Sequence, residues 1–172
     1  MGGGAALTFL CFLLTSTGWL AWAYHVPTQV PEGMADIVSL IFGYLLQAAG
    51  VGVYALASRQ RTALTVRTLP TAAIVAFAAF MVPAVLSPYA AGTLAFGFLM
   101  NLACGLIAGH YLYDLAANVP ARQRASAFGC GYGLAVVTSW LLSSVGGGSV
   151  YYSSQILFVC LVLGLNDGLS AL

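Results

Sequence analysis

From Ala5 to Leu165 the chain is a succession of apolar runs, parted by short breaks of proline, glycine or polar residues. A helix of about 20 residues matches the ~30 Å hydrocarbon layer of a bilayer. Most of the runs have that length, which is too long for a soluble core. The spans read from the sequence are about 5–24, 35–57, 69–86, 92–112, 125–145 and 150–165. The expected fold is all-α and integral to a membrane: a six-transmembrane-helix bundle forming a single transmembrane domain over residues 1–172.

Composition supports this. Charged residues make up 5% of the chain and hydrophobic residues 61%, against about 25% charged in a soluble domain. The net charge of +1 comes with no basic patch, so nucleic acid is excluded as a partner. Cys11, Cys104, Cys130 and Cys160 lie far apart inside apolar runs. Their spacing offers neither a disulfide framework nor a metal site, and packing is the role expected of them. Ala21-Trp22-Ala23 has the small-x-small form of a signal cleavage site. The segment before it lacks a basic residue and exceeds a usual signal core, so it is read as the first span.

The basic residues fix the topology. All five are arginines: Arg59, Arg61 and Arg67 follow the second span, and Arg122 and Arg124 precede the fifth. Both stretches read as loops on one face, which the positive-inside rule makes cytoplasmic. Glu32 and Asp36 follow the first span and fall on the other face. Trp19, Trp22 and Tyr24, with Tyr151 and Tyr152, are expected at the outer headgroup level. The result is an N-in, C-in bundle in the cell inner (plasma) membrane, crossing it several times.

Small residues mark where helices can approach closely: Ala48-x-x-x-Gly52, Gly105-x-x-x-Gly109, and Gly129, Gly131 and Gly133. Pro70 suits the start of the third span, and Pro83 is expected to kink its far end.

Few residues could carry chemistry. His110 and Asp114 share a helix face near the inner interface. They could serve as a proton relay or gate, or Asp114 could pair with an arginine of a neighbouring loop as a structural latch. The second reading is preferred, because no charge lies deeper to continue a relay. Gln47, Asn101 and Gln155 sit well inside spans. They could line a solute pathway or glue helices together, and Asn101 is the best centred for a wall. No catalytic constellation, paired carboxylates or metal cluster is present in the sequence, so neither enzyme activity nor a cofactor is expected.

The first arginine stretch, Leu56-Ala57-Ser58-Arg59-Gln60-Arg61, resembles the G-x-L-A-D-R-x-G-R-R motif between helices two and three of major facilitator superfamily transporters. Ser58 stands at the family's aspartate and Tyr54 at its first glycine. The second stretch, Val119-Pro120 with Arg122, Arg124 and Phe128-Gly129, is similar to the family's junction of helices four and five, and Asp114 matches the acid at the inner end of helix four. The resemblance implies the N-terminal six-helix half of such a transporter. It also implies that Asp114 latches Arg59 or Arg61, and that the half rocks against a second copy or a second six-helix half around an unidentified small-molecule ligand. A second resemblance is to the facilitator-like membrane domain of some actinobacterial LuxR-type regulators. It rests on Phe128-Gly129-x-x-Tyr132 and Ser139-Trp140-Leu141-Leu142, and it implies a sensor module without its DNA-binding output domain; a truncated remnant is a third, separate alternative.

Overall fold

The computed structural model describes residues 2–59 and 68–145, together with 159 and 162. Among these every regular element is helical. Helix α1 runs Gly2–His25 and ends in a tighter turn at Val26–Thr28; α2 is Glu32–Asp36 and α3 Gly43–Ser58; α4 is Leu69–Leu86, α5 Ala90–Asn118 and α6 Ala121–Val145. Between α2 and α3 the chain stays helical but widens into a π-type stretch, Ile37–Phe42. Five helical stretches are therefore long and apolar enough to cross a membrane: Gly4–Thr28, Gly33–Ser58, Leu69–Leu86, Ala90–Asn118 and Ala121–Leu142. The sixth expected span, 150–165, lies outside the described residues except for Val159 and Val162.

Local chemistry sets the boundaries. Pro31 is the N-cap of α2, so the helix begins at Glu32, a few residues before the expected start of the second span at 35. Ser87 is extended, with φ −63° and ψ 130°, because the residue before a proline is pushed out of the helical region, and here Pro88 follows. The Ser87 hydroxyl then donates to the Tyr89 carbonyl (3.1 Å), and the Tyr89 N–H donates back to that hydroxyl (3.3 Å), closing the turn into α5. At the other end of α5 the break is only Val119-Pro120. The Pro120 carbonyl already accepts from the Gln123 N–H at 2.8 Å, so α6 starts at Ala121. Arg122 and Arg124 therefore occupy the first turn of α6 and not a loop, because proline stops one helix yet suits the threshold of the next.

By its internal packing the chain divides into two compact units, Met1–Thr17 with His110–Leu172, and Gly18–Gly109. In the first unit, Leu115, Val119 and Ala127 form a buried cluster against Ala5 and Phe128. Phe12 meets Tyr132 with ring centroids 4.4 Å apart, and a Cβ at Gly131 would come within 2.8 Å of the Ala5 carbonyl oxygen. Gly131 is thus where α6 approaches α1. Among the described residues, nothing lies within contact distance of a Cβ at Gly129 or Gly133.

The second unit is built on a closer crossing. A Cβ at Gly105 would fall on the backbone carbonyl of Gln47, and one at Gly50 on the Leu102 carbonyl oxygen and the Gly105 backbone; Gly109 abuts Tyr54. Helices α3 and α5 therefore touch backbone to backbone, as small residues permit in lipid. The expected Gly105-x-x-x-Gly109 face is in use. The Ala48-x-x-x-Gly52 face is not: both residues are exposed, and Gly50, on the opposite side of α3, does the packing. On α4 the buried residues Ile74, Phe77, Met81 and Ala84 form one stripe, and the Phe77 ring packs on Gly18.

Several hydroxyls within the helices are satisfied by their own backbone. Thr8 donates to the Gly4 carbonyl (2.8 Å) and Ser39 to Ala35 (2.7 Å), which lets a polar residue sit in an apolar helix without a partner from outside. The outward faces are apolar. Leu56 and Leu134 are each 62% exposed and Trp140 64%.

Candidate functional site

The polar interior of the Gly18–Gly109 unit is the place where several hydrogen-bonding groups of an apolar bundle converge. It forms where α3 and α5 cross. Asn101 is fully buried. Its Nδ2 donates back to the Gly97 carbonyl at 2.8 Å, and its Oδ1 accepts from Gln47 Nε2 at 2.8 Å. Two of the residues read as pathway lining are thus brought together, and the contact they make is the interhelical amide bond of the gluing alternative. Gln155, the third, lies outside the described residues.

Two tryptophans complete the surroundings. Trp22 is fully buried, and its Nε1 donates to the Thr93 carbonyl at 2.9 Å while the ring lies against Gly97. That corrects the expectation of a headgroup-facing Trp22. Its position depends on Gly97, because a Cβ there would overlap the indole. Trp19 stacks on Tyr44 at 5.6 Å. Its indole nitrogen is buried and makes no hydrogen bond, and the Thr93 hydroxyl is likewise buried and unbonded. Gly43 faces this group: a Cβ on it would lie 3.4 Å from Trp19 Nε1, 3.5 Å from Asn101 Oδ1 and 3.6 Å from Trp22 Cζ3. Sequence reasoning missed Trp19, Gly43, Thr93 and Gly97 as site residues. A usable signal was present, since Thr93, Gly97, Asn101 and Gly105 recur every four residues along one side of α5.

The described charged residues lie elsewhere. Asp36 and Arg59 are exposed at the two ends of the second span, and Arg61 and Arg67 fall outside the described residues. Asp114 is partly buried in α5 and accepts from Asn118 Nδ2 of its own helix at 2.6 Å. His110 lies one turn before it and is also half-buried. Asp114 and Arg59 belong to different units. Arg124 folds back so that its Nε donates to the Val119 carbonyl at 2.8 Å, a cation where the helix dipole of α5 favours one. Arg122 is exposed. Of the cysteines, Cys11 and Cys104 are buried and Cys130 is exposed. Among the described residues no three His, Cys, Asp or Glu side chains group to hold a metal ion.

The chain matches no protein-family model, no curated protein and no solved structure.

Proposed function

We propose that this is a multi-pass protein of the cell inner membrane that forms half of a small-solute transporter of the major facilitator type. It would move its cargo by rocking against a second bundle. The observation that carries the membrane part is the apolar outer surface. Leu56, Leu134 and Trp140 face outward, each more than 60% exposed, while Asn101 is fully buried and hydrogen-bonded. In water that arrangement leaves large apolar surfaces unburied; in lipid it is the favourable one.

The transport part is supported by the resemblance of the two arginine stretches and of Asp114 to the facilitator pattern. In this reading Asp114 latches Arg59 or Arg61 on the inner face, Arg122 and Arg124 hold the start of α6 on that same face, and His110 lies nearby. Asn101 and Gln47 mark the wall of the solute path. No enzymatic step and no cofactor enter it.

A second reading is a ligand-sensing membrane module, as in LuxR-type regulators. It is favoured by the neutrality of the polar centre, since Trp19, Thr93, Gln47 and Asn101 carry no titratable group with which to couple an ion. The discriminating experiment is the mass of the purified protein in mild detergent, with crosslinking in native membranes. Transport predicts a homodimer or a stable complex with a second six-helix protein. A monomer that crosslinks to no partner overturns it.

A further inference from the structure

We propose that Trp19 Nε1 and Asn101 Oδ1 form a two-point site for one hydroxyl group, that of a water molecule or of a small alcohol. The oxygen accepts from the indole N–H and donates its own proton to the carboxamide oxygen.

Three observations converge on it. The first is the donor: Trp19 Nε1 is buried without an acceptor. A buried N–H left unbonded is destabilising, so a bound oxygen is favoured there. The second is the acceptor. Asn101 Oδ1 has two lone pairs, of which Gln47 Nε2 engages one at 2.8 Å, and the Nδ2 on the same carboxamide is held by Gly97. Its orientation is therefore locked, with acceptor capacity remaining. The third is Gly43, whose Cβ direction points at both groups, 3.4 Å from the donor and 3.5 Å from the acceptor. Any larger residue would fill the approach.

Backbone geometry reinforces this. The π-type stretch Ile37–Phe42 ends immediately before Gly43, and the Gly43 N–H reaches back to the Leu40 and Val38 carbonyls. Wide turns of this kind recur where a helix is shaped around a site. Trp22 supplies the internal contrast: its indole N–H already has the Thr93 carbonyl at 2.9 Å and needs no guest. The site stands independently of the transport reading, because it requires only the second unit to be folded.

The test is NMR of the full chain in micelles, with the tryptophan indole nitrogens isotope-labelled. Trp19→Phe assigns one resonance and Trp22→Phe another. The expected result is a water cross-peak at the Trp19 N–H and none at Trp22. In Gly43→Ala the Trp19 cross-peak is lost while the Trp22 resonance stays in place as the marker of a retained fold. Glycerol added to the wild-type protein distinguishes the source of the hydroxyl. A saturable shift of the Trp19 resonance identifies an alcohol as occupant, and an unmoved, water-contacted resonance identifies water. If wild-type Trp19 shows neither a water contact nor a glycerol shift, the site does not exist. Because that readout uses the wild-type chain, it decides the matter even if Gly43→Ala fails to fold.

Discussion

Helices α3 and α6 carry the same kind of sequence, small residues repeated at helical spacing, and the two are used differently. On α3, Gly50 meets the backbone of α5 at Leu102 and Gly105, and the crossing is pinned by the Gln47–Asn101 amide bond. On α6, Gly131 meets α1, while Gly129 and Gly133 meet none of the described residues where a Cβ would be. A small-residue stripe shows that a helix can be approached closely. It does not show which stripe is approached. Beside the α3–α5 contact lies the hydrogen-bonded pair Gln47 and Asn101, whereas among the described residues nothing lies within contact distance of a Cβ at Gly129 or Gly133.

The sharpest way to break this contrast is to place the same side chain on both stripes. Gly105→Val drives a Cβ into the Gln47 backbone, which cannot rotate away as a side chain can. We expect a loss of about 3 kcal/mol, seen as a lowered unfolding midpoint in detergent. Gly133→Val should cost less than about 0.5 kcal/mol by the same measurement. Equal losses at the two positions would mean that Gly133 is as closely packed as Gly105.

The amide pair comes next in size. Gln47→Leu and Asn101→Leu, combined in a double-mutant cycle, should give a coupling of about 0.6 kcal/mol, typical of interhelical hydrogen bonds in membranes. A coupling of zero would mean that the amide bond does not fix where α3 and α5 cross.

Much of the architecture is legible in the sequence, because span length is dictated by bilayer thickness and the runs are long. The expected third span, 69–86, has the observed bounds of α4, Leu69–Leu86. The start of α6 differs from expectation. Pro120 looks like the opening of a loop, whereas its carbonyl nucleates the next helix, and Arg122 and Arg124 move with it into the first turn. The packing face of α3 also differs, for a geometric reason. Gly50 is two residues from both Ala48 and Gly52, roughly 200° around the helix from each, so one run offers two small faces. Periodicity cannot rank them; the partner helix does. For the site, Asn101 and Gln47 stand out by their polarity inside apolar runs. Trp19 and Trp22 do not, since an indole near a span end fits a headgroup or a core equally well. The decision lies with Gly97 and Gly43, and of these only Gly97 is flagged by the four-residue recurrence along α5.

The claim on which the rest depends is that the described helices cross a membrane with the arginine-bearing ends on the inner face. Single cysteines introduced into a cysteine-free background test it directly, as Thr28→Cys, Ser58→Cys, Tyr89→Cys and Ala121→Cys, each probed with a membrane-impermeant maleimide. Thr28 and Tyr89 should label in intact cells, and Ser58 and Ala121 only in inverted vesicles. Labelling of Ser58 and Tyr89 from the same side, or of all four in intact cells, would contradict this topology.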